Sequence, residues 1–226
     1  MKKLPIGMST LRNMLEEGYI YVDKTEYVKK LVQANKYYFL SRPRRFGKSL
    51  LLDTLKSLFS AHETLFQGLH IHPHWDWSVS YPVIHISFGS GVFKTRAELD
   101  QRIHELLLNN QEQLEVTCQQ NSITGCFGEL IRKAQTRFNQ NVVILVDEYD
   151  KPILDNITEP ETAKVMREGL KNLYSVIKDN DHLIRFVFIT GVSKFSKVSI
   201  FSGLNNLIEL FKAHRYHLPD LVIIQP

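Results

Sequence analysis

"YYFLSRPRRFGKSLLLDTL", residues Tyr37–Leu55, changes character twice. An apolar run enters a basic turn that holds Arg42, Arg44 and Arg45. The turn leads through Gly47-Lys48-Ser49 into a stretch that, to Phe59, carries Leu51, Leu55, Leu58 and Phe59 on one helical face. The order is therefore strand, glycine-containing turn, helix.

That order suits a phosphate group. A phosphoanhydride needs converging backbone N–H groups, a helix N-terminus behind them and one mobile cation, and GxxxxGK[ST] between strand and helix supplies all three. The candidate nucleotide-binding set is Arg42, Pro43, Arg44, Arg45, Phe46, Gly47, Lys48, Ser49 and Leu50. Gly47 would let the backbone approach the phosphates, Lys48 would reach the β- and γ-phosphates, and the Ser49 hydroxyl would ligate Mg²⁺. Arg42 stands where the first glycine is expected. Pro43 disfavours a tight turn at Arg42 and removes one N–H from the cradle, so the loop should leave the strand by its own path. Arg44 or Arg45 would replace the lost charge, and the residues leave open which. A competing reading is a basic patch for nucleic acid, with Tyr37, Tyr38 and Phe46 as stacking partners. The tyrosines read better as core.

Outward from this segment, strands alternate with helices. Residues 36–41, 82–88, 142–147 and 184–190 are short β-branched and aromatic runs, three of them almost continuously apolar. Helical patterns fill the gaps. One runs from an Asp23/Glu26 cap to about Ala34, and one follows a Thr95–Glu98 capping box through Leu99, Ile103, Leu106 and Leu107. Others cover roughly 123–138 and the stretch from a Thr158–Glu161 capping box to about Ile177. The predicted class is α/β, a parallel sheet with right-handed crossovers.

"NVVILVDEYDKPI" adds a second signal. Its aliphatic strand ends in Asp147-Glu148, and ligands of open α/β sheets bind beyond such strand ends. Asp147 would hold Mg²⁺ opposite Ser49, directly or through water, and Glu148 would polarise the attacking water. Two signals of matching chemistry decide for phosphate.

Composition sets outer bounds. A formal charge of +4 on 226 residues is too small to make the whole surface a polyanion binder. Two cysteines, Cys118 and Cys126, form no disulfide framework, and a reducing cytoplasm is the expectation. The N-terminus has no apolar signal region, and the aliphatic run Val142 to Val146 is too short to span a bilayer. His70, His72 and His74, with Asp76 nearby, have the alternation of zinc ligands sharing one strand face, but Pro73 and the flanking tryptophans favour an irregular loop.

In combination, "YIYVDKTEYVKKLV", "KYYFLSRPRRFGKSLLLDTLKSLF", "YPVIHISF", "VVILVDEYDKPI" and "FVFITGVSKFSKVSIFSGLNNL" resemble the bacterial AAA-ATPase-like family of P-loop proteins. The family's own loop has the RPRRFGKS form. The resemblance implies a P-loop NTPase fold, a three-layer sandwich with sheet order 5-1-4-3-2, with ATP as ligand and Mg²⁺ as cofactor. It covers one domain over 1–207 and leaves 208–226 as a divergent or truncated tail. A fifth strand beside the first is then unaccounted for, unless 221–224 replaces it. The resemblance also implies a γ-phosphate sensor at Ser193 or Thr190, and it shows no recognisable arginine finger. Weak or partner-dependent hydrolysis is expected, in a monomer or weak oligomer. The alternative is a non-enzymatic remnant whose basic loop contacts nucleic acid or a protein client.

Overall fold

The computed structural model describes residues 4, 5, 7–193, 201 and 207–210. Five parallel strands form one sheet: β1 (Tyr37–Ser41), β2 (Val83–Ser87), β3 (Val142–Asp147), β4 (Ile184–Gly191) and β5 (Ile208–Glu209). Their spatial order is β2-β3-β4-β1-β5, the 5-1-4-3-2 order read from the opposite edge. The place beside β1 is filled by Ile208–Glu209, which pairs with Tyr38 and Phe39, whereas 221–224 lie outside the described residues.

Alternate side chains of each strand enter two cores. Phe39, Ile84, Ile86, Val142, Ile144, Val146, Val187 and Ile189 pack under α4 (Arg96–Gln113), α5 (Ile123–Phe138) and α7 (Pro160–Asp179). Tyr38, Leu40, Val143, Leu145, Phe186 and Phe188 face α1 (Leu11–Glu16), α2 (Thr25–Ala34) and α3 (Lys48–Phe59). A sheet covered on both faces explains the near-continuous apolar strands. Helix α3 is apolar on nearly every side because it lies between the sheet and α1. Leu55 is fully buried there, in a position where truncation to alanine costs about 2–5 kcal/mol.

Two helix starts differ from their predicted caps. At Thr95 the reciprocal box with Glu98 is present, but α7 begins at Pro160 and makes no side-chain cap bond. Proline fits the first helical position and keeps the residue before it out of the helical region, so Pro160 overrides Thr158. Asp23 sits one residue ahead of the α2 cap, Lys24, while Glu26 pairs with Lys30 instead. Asp23 accepts from Thr25 N at 2.8 Å, from the Thr25 hydroxyl at 2.7 Å and from His70 N at 2.6 Å. The buried Thr25 hydroxyl in turn accepts from Ile71 N at 3.0 Å. The "VDKT" motif is thus a staple between α2 and the 70–71 turn. Asp23→Ala should cost roughly 1–2 kcal/mol in urea unfolding, with Asp23→Asn nearer wild type.

The histidine stretch forms a short 3₁₀ turn at His72–His74. His72 meets Glu63 at 3.2 Å, and the His70 ring lies against His74 at a tilt of 45°. Among the described residues, no cluster of three or more metal-ligating side chains occurs, and no helix is long and apolar enough to cross a membrane.

Candidate nucleotide site

β1 and β3 both end at one edge of the sheet, and α3 starts there. Gly47 caps α3 at φ +71°, a left-handed conformation that glycine adopts at least cost. It turns the chain so that Lys48 and Ser49 open the helix. Arg42 N donates to Gly191 O at 3.1 Å, which extends the β1–β4 ladder past Ser41 and accounts for the extended exit that Pro43 requires.

Lys48 is buried, yet its ammonium has partners: it donates to Arg42 O at 3.0 Å and to Pro43 O at 2.9 Å. The two residues that depart from the glycine pattern therefore seat the lysine through their carbonyls. Burial holds the Lys48 pKa below the usual lysine range, while Asp147, Glu148 and Asp150 pull it back up.

The Ser49 hydroxyl donates to Asp147 Oδ2 at 2.6 Å. The other oxygen, Asp147 Oδ1, accepts from the Thr190 hydroxyl at 2.5 Å and from Glu148 N at 3.0 Å. One carboxylate oxygen is thus held by protein while the other faces the helix start. A serine hydroxyl and a carboxylate oxygen from facing elements form a hard-oxygen pair that fits Mg²⁺, with Thr190 and the Glu148 amide orienting the acid behind it.

Glu148 sits at φ +52°, uncommon for a residue with a side chain, and the next amide, Tyr149 N, bonds Thr190 O at 3.0 Å. Its side chain lines a cavity of about 490 Å³ together with Arg44, Arg45, Gly47, Lys48, Ser49 and Leu50. Both arginines are exposed, and Arg45 also has positive φ, at +67°. Phe46 is half-buried and is not among the lining residues. Of the two sensor candidates, Thr190 is fully buried and committed to Asp147, whereas Ser193 is half-buried in the turn after β4. Residues 194–200 and 211–226, with the basic residues in them, lie outside the described set.

The opposite wall of the cavity comes from Gly7, Met8 and Ser9, which the sequence reading did not select. Leu11 N donates to Asp53 Oδ2 at 2.7 Å, tying this segment to α3. No local motif marks it; only the tertiary contact does.

The turn after β4 is tightly fitted. A Cβ on Gly191 would lie 2.3 Å from Tyr149 Cε1 and 2.8 Å from Asp150 Oδ1. Gly191→Ala should therefore destabilise by roughly 3 kcal/mol in chemical denaturation. Gly89→Ala, whose Cβ meets nothing nearer than 3.4 Å, should stay within about 1 kcal/mol of wild type. The cysteines lie away from this edge, and burial with its Cys126 neighbour pushes the Cys118 thiol up to about 12, so neither chemistry nor place makes it a nucleophile.

A family model described as "Predicted AAA-ATPase" matches residues 5–201. The "Uncharacterized protein in vnfD 5'region" of Azotobacter chroococcum mcd 1 is 55% identical over 216 residues, which is 95% of this chain and 42% of that protein. The chain thus spans less than half the length of this curated relative. With the sheet order, the lysine seat and the Ser49–Asp147 pair all present, the match over most of its length shows that the chain belongs to the AAA-ATPase-like family.

Proposed function

We propose that this chain is a Mg²⁺-dependent ATP-binding domain with weak or partner-dependent hydrolysis that drives a conformational switch. The observation that carries this reading is the 2.6 Å contact of Ser49 with Asp147 beside the seated Lys48, at the rim of a cavity that also holds Glu148. Lys48 would exchange its two carbonyl partners for phosphate oxygens, which are stronger, charged acceptors. Arg44 and Arg45 would flank the triphosphate, and the sugar and base would run towards Gly7–Ser9. Bound at Ser49 and Asp147, Mg²⁺ would neutralise charge on the β- and γ-phosphates. Glu148 would orient the attacking water and take up its proton. Thr190 would keep Asp147 in register. Family membership supports ATP over other nucleotides.

The two exposed arginines also fit a simpler reading, a basic surface that attracts any polyanion. Binding of a fluorescent ATP analogue at two salt concentrations, with and without Mg²⁺, separates the two. The proposal expects Mg²⁺-dependent binding with a shallow salt response. Mg²⁺-independent binding that falls steeply with salt would overturn it.

A further inference from the structure

Asp150 is 1% exposed and serves no role in the chemistry above. It occupies the cap position of the short helix α6 (Lys151–Leu154), yet it makes no side-chain bond to that helix. Its carboxylate turns to the opposite strand end instead. Asp150 Oδ2 accepts from Ser193 N at 2.6 Å and from Val192 N at 3.1 Å, and Oδ1 lies 3.2 Å from the same Val192 N. The preceding residue adds a second tether, since the Tyr149 hydroxyl donates to Ser193 O at 3.0 Å. The Tyr149 ring is fully buried against Phe39 and Phe201 and occupies the space that a side chain at 191 would need. Two consecutive residues directly after Glu148 therefore grip the turn that follows Thr190. The same turn reaches the entry of the basic loop, where the Ser41 hydroxyl donates to Val192 O at 3.1 Å.

We propose that Asp150 is a positioning residue, which pins the Val192 and Ser193 amides and so fixes the turn after β4 over the Ser49–Asp147–Thr190 centre. The inference rests on the nucleotide reading for its consequence, though not for its geometry. A buried carboxylate whose partners among the described residues are backbone N–H groups is a rigid clamp, since main-chain donors engage both of its oxygens. Neutralising it would loosen the turn. It would also remove one negative charge close to Lys48 and leave the lysine's own carbonyl partners untouched. Turnover and binding should then separate: turnover falls, while binding holds or tightens.

The test compares wild type with Asp150→Asn and Tyr149→Phe. Amide hydrogen exchange at Val192 and Ser193, followed without nucleotide, should be about tenfold or more faster in Asp150→Asn, with β3 unchanged. Single-turnover ATP hydrolysis should fall roughly tenfold to a hundredfold, with the Kd for Mg·ATP unchanged or lower. Amides at 192 and 193 that exchange as fast in wild type as in the variant would overturn the proposal. So would binding and turnover lost in equal proportion. Should Asp150→Asn not fold, Tyr149→Phe removes the hydroxyl's bond to Ser193 O and leaves the carboxylate in place, so exchange at 192 and 193 should stay within a few-fold of wild type; amides that exchange about tenfold or more faster in that variant would show that the carboxylate does not pin them. A wild type that binds no Mg·ATP would refute the nucleotide reading, and the exchange comparison would then decide on Asp150 independently.

Discussion

Lys48→Ala should weaken Mg·ATP binding by roughly a hundredfold or more, a loss of about 3 kcal/mol. The expectation follows from where the ammonium sits. Desolvation already disfavours its charge, and two loop carbonyls with three nearby carboxylates keep it in place. A triphosphate arriving there meets a cation whose solvation has already been removed, so the charge-assisted bonds form with little further desolvation. Alanine removes the cation and leaves the Arg42 and Pro43 carbonyls facing the phosphates. Without nucleotide the variant should unfold close to wild type, because a costly buried charge is removed with its bonds. With Mg·ATP at a hundred times its Kd, wild type should gain about 2.7 kcal/mol, and the variant almost none. Paired thermal melts with and without Mg·ATP read both halves. Lys48→Arg should not restore binding, since a planar guanidinium does not match a seat shaped for an ammonium between two carbonyls. Equal nucleotide-induced stabilisation in wild type and Lys48→Ala would remove the basis of the site.

Much of this architecture is legible in the sequence because burial on both faces imposes one local pattern. β1 to β4 read as short apolar runs, and the helices between them read from the 3.6-residue period. Ile208–Glu209 does not, because two residues carry no period; it counts as a strand only through its pairing with Tyr38 and Phe39. The α7 start differs from the Thr158–Glu161 expectation because two signals compete within three residues, and the fixed φ of Pro160 outweighs a hydroxyl cap at Thr158. Within the site, Lys48, Ser49, Asp147 and Glu148 could be selected because each stands at a strand end or helix start of the expected type. Gly7–Ser9 could not, since their place in the cavity depends on Asp53 anchoring Leu11 across 42 positions. Asp150 follows the strand end as the third acid of the DEYD run, with no motif to single it out. Its partners are backbone amides, which leave no mark in a side-chain pattern. The residues at Arg42 and Pro43 show the reverse case: what reads as a departure from a glycine motif supplies the two carbonyls that seat the lysine.

Glu148→Gln should lower single-turnover ATP hydrolysis by about a hundredfold to a thousandfold while leaving Mg·ATP binding intact or tighter. The two side chains have nearly the same shape, so the variant keeps the packing and the positive φ of +52° but cannot accept a proton. That φ bears on the expectation. A left-handed non-glycine residue costs of order 1 kcal/mol, and here it is held because Asp147 Oδ1 accepts from Glu148 N while the next amide bonds Thr190 O. These bonds turn the Glu148 side chain out of the strand and into the cavity that Lys48 and Ser49 line, with its carboxylate passing the end of β2 near Gly89. Asp147 and Glu148 are adjacent in sequence, yet the kink gives them different tasks, one facing the helix start and one facing the cavity. The measurements should therefore split. Asp147→Asn should damage Mg²⁺-dependent binding, whereas Glu148→Gln should damage the chemical step alone. Removal of one negative charge from the cavity would also ease the approach of the triphosphate, so tighter binding in the slower variant is the expected signature. Hydrolysis at the wild-type rate in Glu148→Gln would show that the kink at 148 serves the fold and that another group handles the proton.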